Sequence, residues 1–440
     1  MAEGYMSELS IQFEWEDPLG AKGPELRATW ARLSILVEGN PVTRVFDKRS
    51  RGVRDSVYGP LYPLAEWIAT HWWALVSEVE TPGIERELSY PQRHDLAHGR
   101  EGFALPSVVL APCGQQTRIS WTGQDFPDAG VRFLDAGTCF APSAGVRNEC
   151  ARFVSAVCAR LEDEGVHDTS LQKEWEAIQR CDAAERAFCE AAAALGLDPY
   201  ALDERDRSRL MDACAAVPAE LTGEFLGAVD FGVIGDAVNQ LLSSMHQIAQ
   251  STLRLPTLED LRRKHLRPDH ALPPWQQGHV FAMKLRAELG VGASILPGMS
   301  GVAGALGMDT AVLLQAILYP RNQNLFLDAL VGSNGEGSPV FVINKRREDS
   351  RQFALCRALY EYLTAPGRLS IVSKTRSERQ RANRAFAAEF LAPETTLRQR
   401  LRGPTVDDEQ IDDLASEFGV SCFVIRHQIE NHHLATIEAA

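Results

Sequence analysis

Apolar and polar residues alternate along Leu9-Ser-Ile-Gln-Phe-Glu-Trp15, the period of two that turns one face of a strand inward. Leu33, Ile35 and Val37 repeat it, and Gly39-Asn40 supplies a turn before a second strand at 42–46, which predicts a hairpin. The period then lengthens. Leu64, Trp67, Ile68, Trp72, Leu75 and Val79 form one broad apolar face, predicting a single helix over 61–79 with Pro63 in its first turn. Trp67, Trp72 and Trp73 crowd one segment and are read as core rather than as a binding surface. Strand patterns return at 107–110, 117–121 and 131–134.

From 144 to 253 the pattern is helical: Cys150, Phe153, Val154, Val157 and Leu161 keep the 3.6-residue period, with breaks at Gly165, Pro199, Pro218 and Gly232. Pro256, Pro268, Pro273 and Pro274 mark a second boundary, after which helix and strand mix. A chain of 440 residues, at roughly 150 per domain, fits the three parts these changes suggest. They are a strand-rich part at 1–142, a helical part at 143–268 and a mixed part at 269–440. The expected class is α+β, predominantly helical.

Charge narrows the function classes. The chain has 45 Lys and Arg against 59 Asp and Glu, a net charge of −14, which argues against a surface that coats nucleic-acid backbones throughout. The first residues carry Glu3, Glu8, Glu14, Glu16 and Asp17 with no basic or apolar leader pattern. The longest uncharged stretch, 289–308, is broken by Pro297 and six glycines, unlike a membrane span. The nine cysteines contain no C-x-x-C pair, and Cys150, Cys158, Cys181, Cys189, Cys214 and Cys356 sit among apolar helical residues. Reduced core thiols in a cytoplasmic protein without membrane association are expected.

Common chemical motifs are missing. There is no phosphate-binding P-loop and no G-x-S-x-G elbow, and Gly290-Val-Gly292 starts a dinucleotide fingerprint that Ile295 breaks. His94-Asp-Leu-Ala-His98 has the i, i+4 spacing of a helical metal site, but Pro91 and Gly99 leave barely two turns for it. Two solvent-facing histidines are the favoured reading. His427, His432 and His433 near the C-terminus are read in the same way.

The C-terminal part carries more information. A strand over 326–331, a polar loop at 333–338 and a strand over 339–344 predict a hairpin, followed directly by a helix over 351–363 with Phe353, Cys356, Leu359 and Leu363 inward. A basic helix at 377–391 stops at Pro393. Then comes a helix pair, 411–418 and 422–431, hinged at Gly419, with Ser421 as the expected cap. The runs "PVFVINKRREDSRQFALCRALYEYL", "RANRAFAAEFLAP" and "LASEFGVSCFVIRHQIEN" in this order resemble the ImmA/IrrE family of zinc metallopeptidases. The resemblance covers 270–440 and is firmest over 324–431.

The resemblance implies a helix bearing H-E-x-x-H and a third, acidic ligand on the next helix. Laid on this chain, the first histidine falls at Arg357, the glutamate at Ala358, the second histidine at Glu361 and the third ligand near Ala382. Arginine is a permanent cation with no lone pair for a metal, and alanine cannot take a proton from a bound water. The expected metal complement is therefore none. Arg357 and Glu361, one helical turn apart, suggest an ion pair filling the metal's place, with solvated surface charges as the plain alternative.

Three functions follow. The preferred one is a pseudoenzyme that binds another protein, a regulator or defence component, in mobile-element immunity or stress response. The second is a zinc peptidase rebuilt from Glu361, Glu378 and Glu389 with His94, His98 or the C-terminal histidines. The third is DNA binding: 368–402 holds nine Lys or Arg against three Glu, and the helix pair would present Arg426 and His427. Nucleic acid is the less favoured partner, because the same helix pair is first of all a packing unit.

Overall fold

The structure is a computed structural model that describes residues 8–18, 21–82, 84–264, 267–269, 272–320, 327–365 and 367–438, with the side chains of 84–87 left aside. It is α+β and predominantly helical. The chain forms two compact units, Met1–Arg207 and Ser208–Ala440, so the helical residues from 143 to 268 divide between them. Among the described residues, no helix is long and apolar enough to cross a membrane.

The first unit is built on strands closed by helices. Leu9–Trp15 and Trp30–Val37 pair antiparallel, Leu9 opposite Val37, so that Leu9, Ile11, Leu33, Ile35 and Val37 share a buried face. The hairpin expected over 33–46 forms only next to its turn. Trp30–Val37 pairs there with Asn40–Pro41 and elsewhere with Val57–Pro60, while Val45–Asp47 pairs with Gly52–Arg54 and Val131–Phe133 in a second sheet. The last backbone bond of this hairpin runs from the Val42 amide to the Ile35 carbonyl oxygen at 2.9 Å. Ser107–Pro112, Gln116–Thr122 and Gly137–Pro142 make a third sheet. The helix expected over 61–79 is two, Tyr62–Thr70 and Trp72–Ser77, parted at His71. Trp72 and Trp73 are core, as is the helix Ser143–Asp163 through Phe153, Val154, Val157 and Leu161.

His94 and His98 do not share a face. His94, at the end of Ile84–His94, is fully buried, with Nδ1 2.7 Å from the Leu110 carbonyl oxygen and Nε2 3.1 Å from Glu78 Oε2. His98 lies in a short 3-10 turn and is exposed, because Asp95 ends the helix by accepting from the Ala97 amide. Burial alone would raise the Glu78 carboxyl, but hydrogen bonds from Arg93 and His94 hold it below 4.5. That stability is present above the unfolded value and is lost as pH falls through the depressed folded value. Glu78→Gln should therefore cost about 1–3 kcal/mol at neutral pH. In urea titrations the gap to wild type should close as pH falls below 4.5.

In the second unit, a central hairpin carries the site. Strands β1 (Leu327–Ser333) and β2 (Pro339–Ile343) pair antiparallel, with Asn334 and Ser338 closing the turn. Phe326, expected as the first strand residue, lies outside the described residues. A short strand, Ile317–Leu318, extends the sheet beside β2, and β3 (Ser370–Ser373) extends it beside β1. Helix α1 (Pro274–Glu288) packs on α3 (Glu378–Leu391), and α2 (Glu348–Thr364) lies between α3 and the sheet. From Ala354 to Leu363 every residue of α2 is buried, which an apolar sequence on all sides of a helix requires. Helices α4 (Asp408–Phe418) and α5 (Cys422–Asn431) close the unit, with Gly419 left-handed at the hinge. Ser421 occupies the cap position of α5 but makes no capping side-chain bond.

Candidate functional site

Arg357 and Glu361 stand on α2 and are 3% and 2% exposed, so neither is a solvated surface charge. Nor do they pair directly. Arg357 Nη1 donates to Asp328 Oδ2 on β1 at 2.7 Å, and Nη2 donates to the Ser373 carbonyl oxygen at 2.6 Å and to Gln380 Oε1 at 2.7 Å. Its Nε donates to Asn383 Oδ1 at 2.8 Å. Asn383 then turns its amide to Glu361 Oε1 at 2.9 Å, while Arg379 binds the other Glu361 oxygen at 2.9 Å. The two positions are thus joined through α3 rather than to each other.

Each partner has a reason to be there. The planar fork of an arginine meets acceptors from two strands and one helix at once, which a lysine's single point cannot do. Gln380 is itself fixed, donating to the Ile371 carbonyl oxygen and to Glu224 and accepting from the Ser373 amide. Burial would raise the Asp328 carboxyl, but Arg357 and Lys345 outweigh it and hold the group below the usual range. Ala358 and Ala382, at the remaining family positions, are buried. Ala382 instead presents its carbonyl to Gly278 of α1, where an added Cβ would stand 1.9 Å away.

These residues do not fit a zinc ion. A guanidinium occupies the centre, its nitrogens committed as donors, and the two carboxylates at hand, Asp328 and Glu361, are each already bound by two groups. No hydrolytic step runs through that position.

Beside this network opens a cavity of about 640 Å³ lined by parts of all five helices named in this unit except α4. Lys345, Arg357, Arg381 and Arg384 line it against two carboxylates, Asp328 and Asp349. Asp328 is shared by Lys345 and Arg357, and Asp349 receives Arg347. Among the described residues Arg384 has no carboxylate partner; its one hydrogen bond, at 3.1 Å, goes to the Ser373 carbonyl oxygen. Burial, and then the neighbouring Arg357 guanidinium, pull its pKa down to about 9. At the rim stand Trp275 and Phe423, the latter 74% exposed.

Residues 326–430 match the IrrE N-terminal-like domain of the M78 peptidases. The C-terminal region therefore carries the expected metallopeptidase-like domain. No curated protein and no solved structure matches the chain.

The other residues singled out in the sequence are dispersed. Arg426 is bound to Asp408 at 2.5 Å, an ion pair between α4 and α5, and His427 lies on the cavity edge 3.4 Å from Glu430. Arg426 thus spends its charge within the helix pair. His94 and His98 belong to the first unit, Glu378 begins α3, and His433 is exposed just past α5. Glu389 and His432 do come together, beside His279 of α1, which no local spacing distinguishes.

Proposed function

We propose that the IrrE-like domain of this protein is a recognition module: it binds an acidic segment of a partner protein and does not cleave it at the family's catalytic position. The carrying observation is Arg384, a largely desolvated cation facing a second guanidinium inside a cavity short of carboxylates. An incoming carboxylate would relieve that repulsion and accept charge-assisted hydrogen bonds. The rim aromatics Trp275 and Phe423 favour a segment that also carries apolar side chains, as large exposed aromatics do at protein interfaces. By resemblance, the partner is a regulator or defence component of the cytoplasm.

Fluorescence anisotropy with a labelled peptide of glutamates flanking a phenylalanine, and with its glutamine counterpart, tests this on the full chain. The acidic peptide should bind at least about tenfold tighter, roughly the 1.4 kcal/mol one charge-assisted contact supplies. Arg384→Gln should abolish the difference. Equal affinity for both peptides, or cleavage of the acidic one, would refute the reading.

A further inference from the structure

We infer that His279, Glu389 and His432 form a binding site for a divalent cation of the zinc class, on the cavity wall and apart from the family's metal position. Three separate elements supply the ligands: α1, α3 and the first residue past α5. One ligand atom from each lies within 4.8 Å of the other two, and His279 Nδ1 is 3.4 Å from Glu389 Oε2. Tetrahedral zinc with bonds of about 2.0–2.1 Å sets its ligand atoms about 3.3 Å apart. One pair already has that separation, and the others need to close by no more than about 1.5 Å, within the reach of a histidine rotamer change.

The surroundings are those of a built site. Glu389 is buried, and its Oε2 accepts from Gln428 Nε2 at 3.0 Å and from the Glu394 amide at 3.1 Å. Gln428 is held in turn by the Ala392 carbonyl oxygen at 2.8 Å. Such outer contacts fix a ligating carboxylate and leave its remaining lone pairs for a cation. The carboxylate of Glu394 stands 3.5 Å from His432 Nδ1, adding negative charge at the edge of the cluster. The two imidazoles lie with centroids 4.8 Å apart and tilted by 39°, so they do not stack flat. Both line the cavity, so an ion would enter from it. Two histidines and one carboxylate leave a fourth position for water or for an anionic atom of whatever occupies the cavity.

The inference stands on these three residues and not on the peptide-binding proposal, and its test uses no peptide. Full-length protein is stripped with chelator, dialysed, and titrated with zinc chloride by calorimetry; a parallel cobalt titration is followed by visible absorbance. The expected result is one tight equivalent of zinc and a cobalt spectrum of tetrahedral nitrogen and oxygen coordination. His432→Gln, at a helix end, and His279→Gln should each weaken zinc binding about 100-fold or more while thermal unfolding of the chelated proteins stays close to wild type. Should a variant fail to fold, the cobalt spectrum of the wild type still decides, because an ion pair gives no tetrahedral bands. Less than about a tenth of an equivalent of bound zinc, where a specific site takes a full one, would overturn the inference. So would binding that both histidine variants leave unchanged.

Discussion

Arg357→Ala is expected to destabilise the protein by about 3–5 kcal/mol, the range for removing one partner of a buried ion pair. The substitution deletes four hydrogen bonds and strands Asp328, Gln380 and Asn383 in a buried space, leaving Lys345 as the only cation on Asp328. Arg357→Lys should recover little of the loss, since one ammonium cannot reach acceptors on β1, β3 and α3 together. Removing the anion as well should soften the effect: Asp328→Asn with Arg357→Ala should cost less than the sum of the two single changes. Urea denaturation of the four proteins measures this directly. Strict additivity would mean that the two groups do not interact, contrary to their 2.7 Å contact.

Gly278→Ala should be nearly as damaging, although alanine is the better helix former by about 1 kcal/mol. The added Cβ would fall 1.9 Å from the Ala382 carbonyl oxygen and 2.8 Å from the Phe386 amide nitrogen, both backbone atoms of α3 that no rotamer change can move. Helices α1 and α3 must then separate along their whole contact, which also buries Phe281 against Phe386. We expect a loss of about 3 kcal/mol, the upper end for overpacking, seen as a lower midpoint in thermal unfolding. The same shift would draw His279 away from Glu389, so zinc affinity should fall with stability. A Gly278→Ala protein as stable as wild type would show that the helices are not packed this closely.

Much of the domain was legible in sequence because its signals are local. The apolar run of β2, the inward apolar face of α2 and the Gly419 hinge each depend on residues within a few positions of one another. Burial of Arg357 and Glu361 was not fixed by that pattern, which left solvated surface charges open; the neighbouring α3 and sheet decide it. Their partners were not legible. Side chains on a third element decide whether two residues one helical turn apart pair with each other, and Asn383 intercepts both. His279 is 110 positions from Glu389, so no local spacing links the two. The hairpin at 33–46 stops short for a similar reason: the pattern marked a strand at 42–46 but not that Val45–Asp47 would join another sheet.

We propose that the Arg357 guanidinium network stands where the family resemblance places the metal. Crystals of the full chain grown with zinc, with anomalous scattering recorded on both sides of the zinc edge, test it most directly. The account predicts no peak within bonding distance of Glu361, where Arg379 and Asn383 hold both oxygens. An anomalous peak bonded to Glu361, with Arg357 swung away from Asp328, would contradict it.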